Sequence, residues 1–117
     1  MKKLLTYASL TILLSLKSAC GYMVKTTSYC PQEPGGFRAA TGIRLHLGHC
    51  AADPRYYPYG TILAIGGRRY VVVDTGSAIR GKRHIDIFCR NMREMIERGT
   101  QFLDLKVVGF TSDFATL

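Results

Sequence analysis

Acidic residues are scarce in this chain: 8 Asp and Glu stand against 16 Lys and Arg, a net charge of +8. Such a surplus suits an anionic partner, whether nucleic acid, an anionic membrane or an anionic polymer such as cell wall. General solubility accounts for it equally well. Lysine and arginine runs interleaved with aromatics are missing, which makes nucleic acid the weakest of these partners and none is expected. Long apolar runs are also missing. The longest, residues 4–16, covers 13 positions, short of the roughly 20 that a helix needs to span a bilayer. No internal repeat and no interdomain linker is visible, so 117 residues make one domain at most. Metal-ligand spacing is incomplete: His46, His49 and Cys50 form His-x-x-His-Cys, and no second Cys/His pair completes it. Neither a metal nor another cofactor is expected.

What is present begins with a targeting pattern. Met1-Lys2-Lys3 is a positive leader, residues 4–16 are an apolar stretch, and Lys17-Ser18-Ala19-Cys20 supplies small residues near a cut. The pattern predicts an export signal over residues 1–20 and one domain over residues 21–117. The destination is then the periplasm, the cell envelope or the exterior, with transient membrane association through the N-terminal segment. Cys20 after Ser18-Ala19 also resembles a bacterial lipobox, with Lys17 where that motif carries an aliphatic residue. Lipid anchoring there, or an uncleaved N-terminal anchor, is the alternative to simple release. Cys30, Cys50 and Cys89 remain in the exported part, and three cysteines leave one over in any pairing. If the neighbouring aspartates converge, Cys50–Cys89 is the bridge to test first; three buried thiols are the alternative.

Twelve glycines favour tight turns and a compact β-rich fold. Residues 23–29 alternate loosely and predict a first strand. Residues 31–36 read as a loop, and residues 39–43 lead into a second extended piece. Asp53-Pro54 predicts a turn, and Tyr56, Tyr57 and Tyr59 fall in an aromatic loop. Residues 61–65 and 69–73 predict a hairpin closed by Gly66-Gly67. One helix is expected, with Asn91 as cap, Glu94 completing a capping box, Met92, Met95 and Ile96 on one face, and Gly99 at its end. Residues 105–110 close the sequence of strands. Five or six short strands with one helix make a mainly β chain, a small barrel or sandwich.

The chain is organised around Val71-Val72-Val73-Asp74-Thr75-Gly76-Ser77-Ala78-Ile79-Arg80-Gly81 and Ile85-Asp86-Ile87. Carboxylates are rarely buried without partners, so aspartates at the ends of apolar strands mark a candidate site. Taken with Thr41-Gly42, Ala51-Ala52-Asp53-Pro54-Arg55 and Pro58-Tyr59-Gly60-Thr61, in that order, these motifs resemble the three-aspartate (3D) domain. Tyr29-Cys30-Pro31 resembles the opening strand of that family, and the likeness runs over roughly residues 25–110. The family includes the C-terminal part of membrane-bound lytic transglycosylase A and many bacterial cell-wall proteins. Three departures stand out: Ser77 replaces a second glycine, Tyr59 replaces a leucine, and the Gly81–Asp86 spacing is one residue longer.

The resemblance implies a six-stranded double-psi β-barrel with one short helix. It also implies a peptidoglycan-directed role, with the three aspartates grouped at one end of the barrel. It makes Asp86 the catalytic acid, with Asp74 and Asp53 in support. A lytic transglycosylase needs only one such group. The acid protonates the glycosidic oxygen, and the resulting carboxylate takes the proton of the sugar's own C6 hydroxyl as the anhydro ring closes. A hydrolase instead uses a second carboxylate as nucleophile or as base toward water. Burial between Ile85 and Ile87 and a nearby like charge are expected to keep Asp86 protonated near neutral pH. Thr75, Ser77 and Arg80 are candidate contacts to the glycan. Tyr59 is a candidate stacking platform, and Gly76 a site of close backbone approach or positive φ. The alternative is a non-catalytic polysaccharide-binding barrel.

Overall fold

The computed structural model describes residues 21–32 and 36–114. The predicted export signal, the lipobox-like Cys20 and part of the 31–36 loop lie outside the described residues. The strands are β1 (Tyr22–Tyr29), β2 (His49–Ala51), β3 (Thr61–Ile65), β4 (Arg68–Asp74), β5 (His84–Phe88) and β6 (Gln101–Phe110). The helix α1 (Met92–Arg98) precedes β6. The strands close into a barrel in the order β1-β5-β2-β4-β3-β6, with β6 returning to β1. Closure falls to β6, ten residues long. Its first half pairs with β1, from Thr26↔Gln101 to Tyr22↔Leu105. Its second half pairs with β3, from Ile65↔Leu105 to Thr61↔Phe110. A closed barrel leaves no unpaired edge. The parallel pairs β1/β5 and β2/β4 sit among antiparallel ones, a mixture consistent with the double-psi expectation.

Local sequence explains the elements. In β3 the residues alternate between buried and half-buried, as period-2 packing requires. The β3–β4 connection is Gly66-Gly67, with φ of 57° and 84°. A two-residue hairpin turn of this hand needs positive φ at both positions, which glycine takes without a steric penalty.

The strands divide their apolar residues between two cores. Val24, Cys50, Leu63, Ile65, Val72, Ile85, Ile87 and Leu105 fill the barrel interior. Val71, Val73 and Phe88 face outward and are covered by Ala39 and Leu45. The segment before β2 is therefore a lid over the outer face of the barrel. Its extended piece reduces to one isolated bridge, Arg38↔Arg44.

Some expectations are corrected. Asn91 does cap α1, accepting from the Glu94 N–H at 2.9 Å, but the Glu94 carboxylate pairs with Arg90 at 3.0 Å instead of closing a capping box. The Met92/Ile96 face is not packed: these residues are 45% and 69% exposed. A seven-residue helix packing mainly on β1 is too short to cover its own stripe. Cys30, Cys50 and Cys89 are buried and free. Cys50 stands opposite Ile87, and Cys89 lies two residues beyond that partner, just past the end of β5.

Candidate functional site

Three adjacent strands bring two of the aspartates together. Ala51 on β2 is the register partner of Asp74 on β4 and of Asp86 on β5. The two aspartates thus flank one alanine, with Cα atoms two strand spacings, about 9.5 Å, apart. Alternation along β4 would turn Asp74 inward with Val72. A register shift between Cys50 and Ala51 breaks the alternation and aligns Asp74, not Val73, with Ala51. Bulges re-aim side chains in this way. The alanine methyl leaves room between the carboxylates, and a cavity of about 300 Å³ opens there. Tyr29, Arg38, Thr75, Gly76 and Ile79 complete its wall with the two aspartates.

Asp74 is held by three donors. Its Oδ1 accepts from the Ala40 N–H at 2.7 Å and its own neighbour Thr75 N–H at 2.9 Å. Its Oδ2 accepts from the Tyr29 hydroxyl at 3.0 Å. The Ala40 bond fastens the lid to β4, and Thr41 adds a hydroxyl bond to the Val73 carbonyl at 2.8 Å. Burial, then the charge of Asp74, drives the Tyr29 hydroxyl far above the ordinary phenol range, so it remains a donor.

Asp86 is half-buried and sits directly across from Thr27 on β1. The Thr27 hydroxyl donates to Asp86 Oδ1 at 2.9 Å. The same hydroxyl lies 2.9 Å from His84 Nε2. Ile85 and Ile87 belong to the barrel interior. They point away from Asp86, and the surroundings expected of them come instead from Thr27, Tyr29 and the lid.

Asp53 lies elsewhere in the network. It opens the turn before β3, with its carbonyl accepting from Tyr56 and Tyr57 N–H at 3.0 Å. Its carboxylate accepts from Arg55 Nη2 at 2.7 Å and from the Gly81 N–H at 2.9 Å. The Arg55 guanidinium, followed by the Gly81 N–H, holds its pKa far below the usual carboxylate range. Asp53 therefore ties the Asp53-Pro54 turn to the far end of the 75–81 loop. It lines a second cavity of about 420 Å³ with Arg55, Thr75, Gly76, Ser77 and Arg80. Thr75 and Gly76 wall both cavities, so the two adjoin along that loop.

The remaining candidates separate. Thr75 and Gly76 reach the Asp74/Asp86 cavity; Ser77 and Arg80 reach the Asp53 cavity only. Arg80 Nε bonds the Ser77 carbonyl at 3.1 Å, closing the loop on itself. Gly76 has no positive φ. It serves close approach, since a Cβ there would stand 3.3 Å from Ile79 Cγ1. Tyr59 packs against the barrel core and lines neither aspartate cavity. His49 is a core histidine with both ring nitrogens engaged, Nδ1 accepting from the His46 N–H and Nε2 bonded to the Phe114 carbonyl. Sequence reasoning did not single out Thr27 and His84, and it quoted Tyr29 and Ala51 only as parts of the family motifs. Thr27 and Tyr29 alternate on one face of a predicted strand, but which strand they face is decided by parallel pairing across the chain.

Residues 49–108 match the family described as the 3D domain. Among solved structures, the chain is similar to MltA from E. coli at 24% identity and a TM-score of 0.54, over 63% of this chain and 28% of MltA. It is also similar to an apo form of an E. coli lytic transglycosylase MltA variant, at 22% identity and a TM-score of 0.55, over 63% and 27% of the two chains. The chain thus spans under a third of the length of these structures, and the likeness is one of fold. Among curated proteins no sequence matches.

Proposed function

This chain belongs to the 3D domain family, and on that footing we propose that it is an exported peptidoglycan lytic transglycosylase. The observation that carries this reading is the pair of aspartates facing one open cavity across Ala51. The proposed substrate is the glycan strand, cut at the MurNAc–GlcNAc β-1,4 bond with formation of anhydro-muropeptides. Asp86 acts as the single acid/base. Its carboxyl gives a proton to the glycosidic oxygen as the bond breaks, then takes the proton of the C6 hydroxyl as that oxygen closes on C1. The group ends as it began, so no second carboxylate is needed to activate water.

Asp74 has its oxygens occupied by the lid and Tyr29, which suits a fixed negative charge that stabilises the cation-like transition state. Asp53 is a positioning residue: it pins the loop that carries Thr75 and Gly76 to the cavity wall. Arg80 and Ser77 extend the surface toward a neighbouring sugar or its peptide carboxylate.

A non-catalytic wall-binding barrel is the second reading. The size of the aspartate cavity favours it, since about 300 Å³ lies at the low end of ligand pockets. Sedimentation with insoluble peptidoglycan, read for both bound protein and released soluble fragments, separates the two. Release that disappears in Asp86→Asn, with binding retained, supports the enzyme. Binding with no release by the wild type supports the binding barrel.

A further inference from the structure

The three adjacent strands that carry the aspartate cavity hold arginines toward their other end. The barrel order there runs β5-β2-β4. Arg68 and Arg69 open β4, whose last residue is Asp74. Arg69 and Asp74 lie about 17 Å apart along that strand. A cavity of about 380 Å³ opens between the start of β4, the turn before β2 and the exit of β5, with Arg68, Arg69, Arg90 and Arg98 in its wall. A second cavity of about 430 Å³ continues from it, since Arg68, Arg90, Glu94 and Arg98 wall both. Among the described residues, none lines both this cleft and the Asp74/Asp86 cavity.

The charges in the cleft do not cancel. Arg68, Arg69, Arg90, Arg93 and Arg98 meet only Glu94 and Glu97 there. Arg90 pairs with Glu94 and Arg93 with Glu97, each at 3.0 Å. Arg68, Arg69 and Arg98 make no ion pair among the described residues. The negative end of α1 favours Arg98 in its last turn. It does not account for the two arginines that β4 brings to the same opening. Like charges gathered in this way repel, and an anion among them turns the repulsion into binding.

The floor has a different character from the rim. Tyr70, Ile87, Phe88 and Cys89 are buried beneath it, and Leu47 is half-exposed at its margin. An apolar floor under a guanidinium rim fits a ligand that carries carboxylates and short aliphatic groups together. A bare phosphate uses only the rim. A nucleic-acid strand needs exposed rings to stack on, and Tyr70 and Phe88 are only 6% and 4% exposed.

We propose that this cleft is a second binding site, for the carboxylates of a short acidic peptide, and that in the wall it holds the peptide stems carried by the glycan. The stem as occupant rests on the peptidoglycan reading; the peptide site itself rests on the arginines and their apolar floor. Each arginine offers a planar fork that meets both oxygens of a carboxylate. Five extended peptide residues span about 17 Å, the separation of Arg69 from Asp74. A sugar at the aspartates and its peptide in the cleft are thus matched in reach to one wall fragment.

The test is a titration of the full chain with N-acetyl-Ala-Glu-Ala-Ala, read by backbone NMR and calorimetry. The comparison ligands are the neutral N-acetyl-Ala-Gln-Ala-Ala amide and inorganic phosphate. The site requires shifts centred on Gly48, Tyr70, Cys89 and Arg98, and an affinity for the acidic peptide about tenfold or more above either comparison ligand. Arg68→Gln and Arg98→Gln should each weaken the acidic peptide about tenfold, the loss of one charge-assisted hydrogen bond. Arg68→Lys should recover only part of that loss. Lys106→Gln, which removes an exposed charge from β6, should leave the affinity unchanged. Equal affinity for the neutral peptide, phosphate binding as tight as the acidic peptide, or shifts centred on Asp86 would overturn the site. Arginine variants that lose binding to phosphatidylglycerol vesicles but keep the peptide would overturn it too. Peptide binding by a protein that neither retains nor cuts peptidoglycan would remove the wall reading and leave the peptide site standing. Retention of peptidoglycan with no peptide binding would do the reverse.

Discussion

Tyr29→Phe removes one donor from the site and nothing else. The Tyr29 ring meets Phe88 edge-on, with centroids 5.6 Å apart, and phenylalanine keeps that contact. What disappears is the hydroxyl bond of 3.0 Å to Asp74 Oδ2. A hydrogen bond to a charged group contributes about 1.5–3 kcal/mol. The two donors on Oδ1 remain, so the carboxylate is not orphaned and a loss of about 2 kcal/mol is expected. In a domain of this size each kcal/mol moves the melting temperature by roughly 4–8 °C, so the variant should melt about 8–16 °C lower. Urea unfolding gives the free energy, and the double variant gives the control. In an Asp74→Ala background the same change should cost almost nothing, leaving a coupling above about 1 kcal/mol. A single-variant loss below about 0.5 kcal/mol, with no coupling, would refute this account of how Asp74 is held.

Other perturbations test other joints of the site. Asp53 titrates below its unfolded value of about 3.9, so its stabilising contribution is complete above about pH 4 and disappears as pH falls through the folded value. Wild type should therefore exceed Asp53→Asn in urea midpoint at neutral pH, and the gap should narrow in acid; a gap independent of pH contradicts the Arg55 and Gly81 assignment. Ala51→Val adds bulk between the two carboxylates, at a packing cost of about 1–3 kcal/mol. Peptidoglycan retention should fall by about tenfold, or 1.4 kcal/mol, and undiminished retention would place the glycan elsewhere. Ile96→Gln, on the uncovered face of α1, should change stability by less than about 0.5 kcal/mol; a larger loss would mean that the face is covered in solution.

The barrel was largely legible in the residues because its signals are local. Gly66-Gly67 announces its own hairpin, Asn91 its helix cap, and Asp53-Pro54 its turn. The site was legible in part, through the Asp74 and Asp86 motifs. Their meeting place was not, because it depends on β2, a three-residue strand that pairs with β4 and β5 over long sequence separations. A short strand has no periodicity to read, and Ala51 has no chemistry to advertise it. The register shift at Cys50/Ala51 reverses the face that alternation assigns to Asp74. The same limit explains the misreading of Ile85 and Ile87. Neighbours in sequence lie on opposite faces of a strand, so the groups around Asp86 come from β1 and the lid. The Met92/Ile96 stripe is the converse case: a correct local pattern that stays exposed among the described residues.

The most direct test of the central claim is the chemistry of the products. Purified peptidoglycan is digested with the protein, and the fragments are read by mass spectrometry for the state of the muramyl end. The account predicts anhydro-muropeptides that vanish in Asp86→Asn. Fragments with ordinary reducing ends would contradict it, since they require water as nucleophile and a second group to activate it.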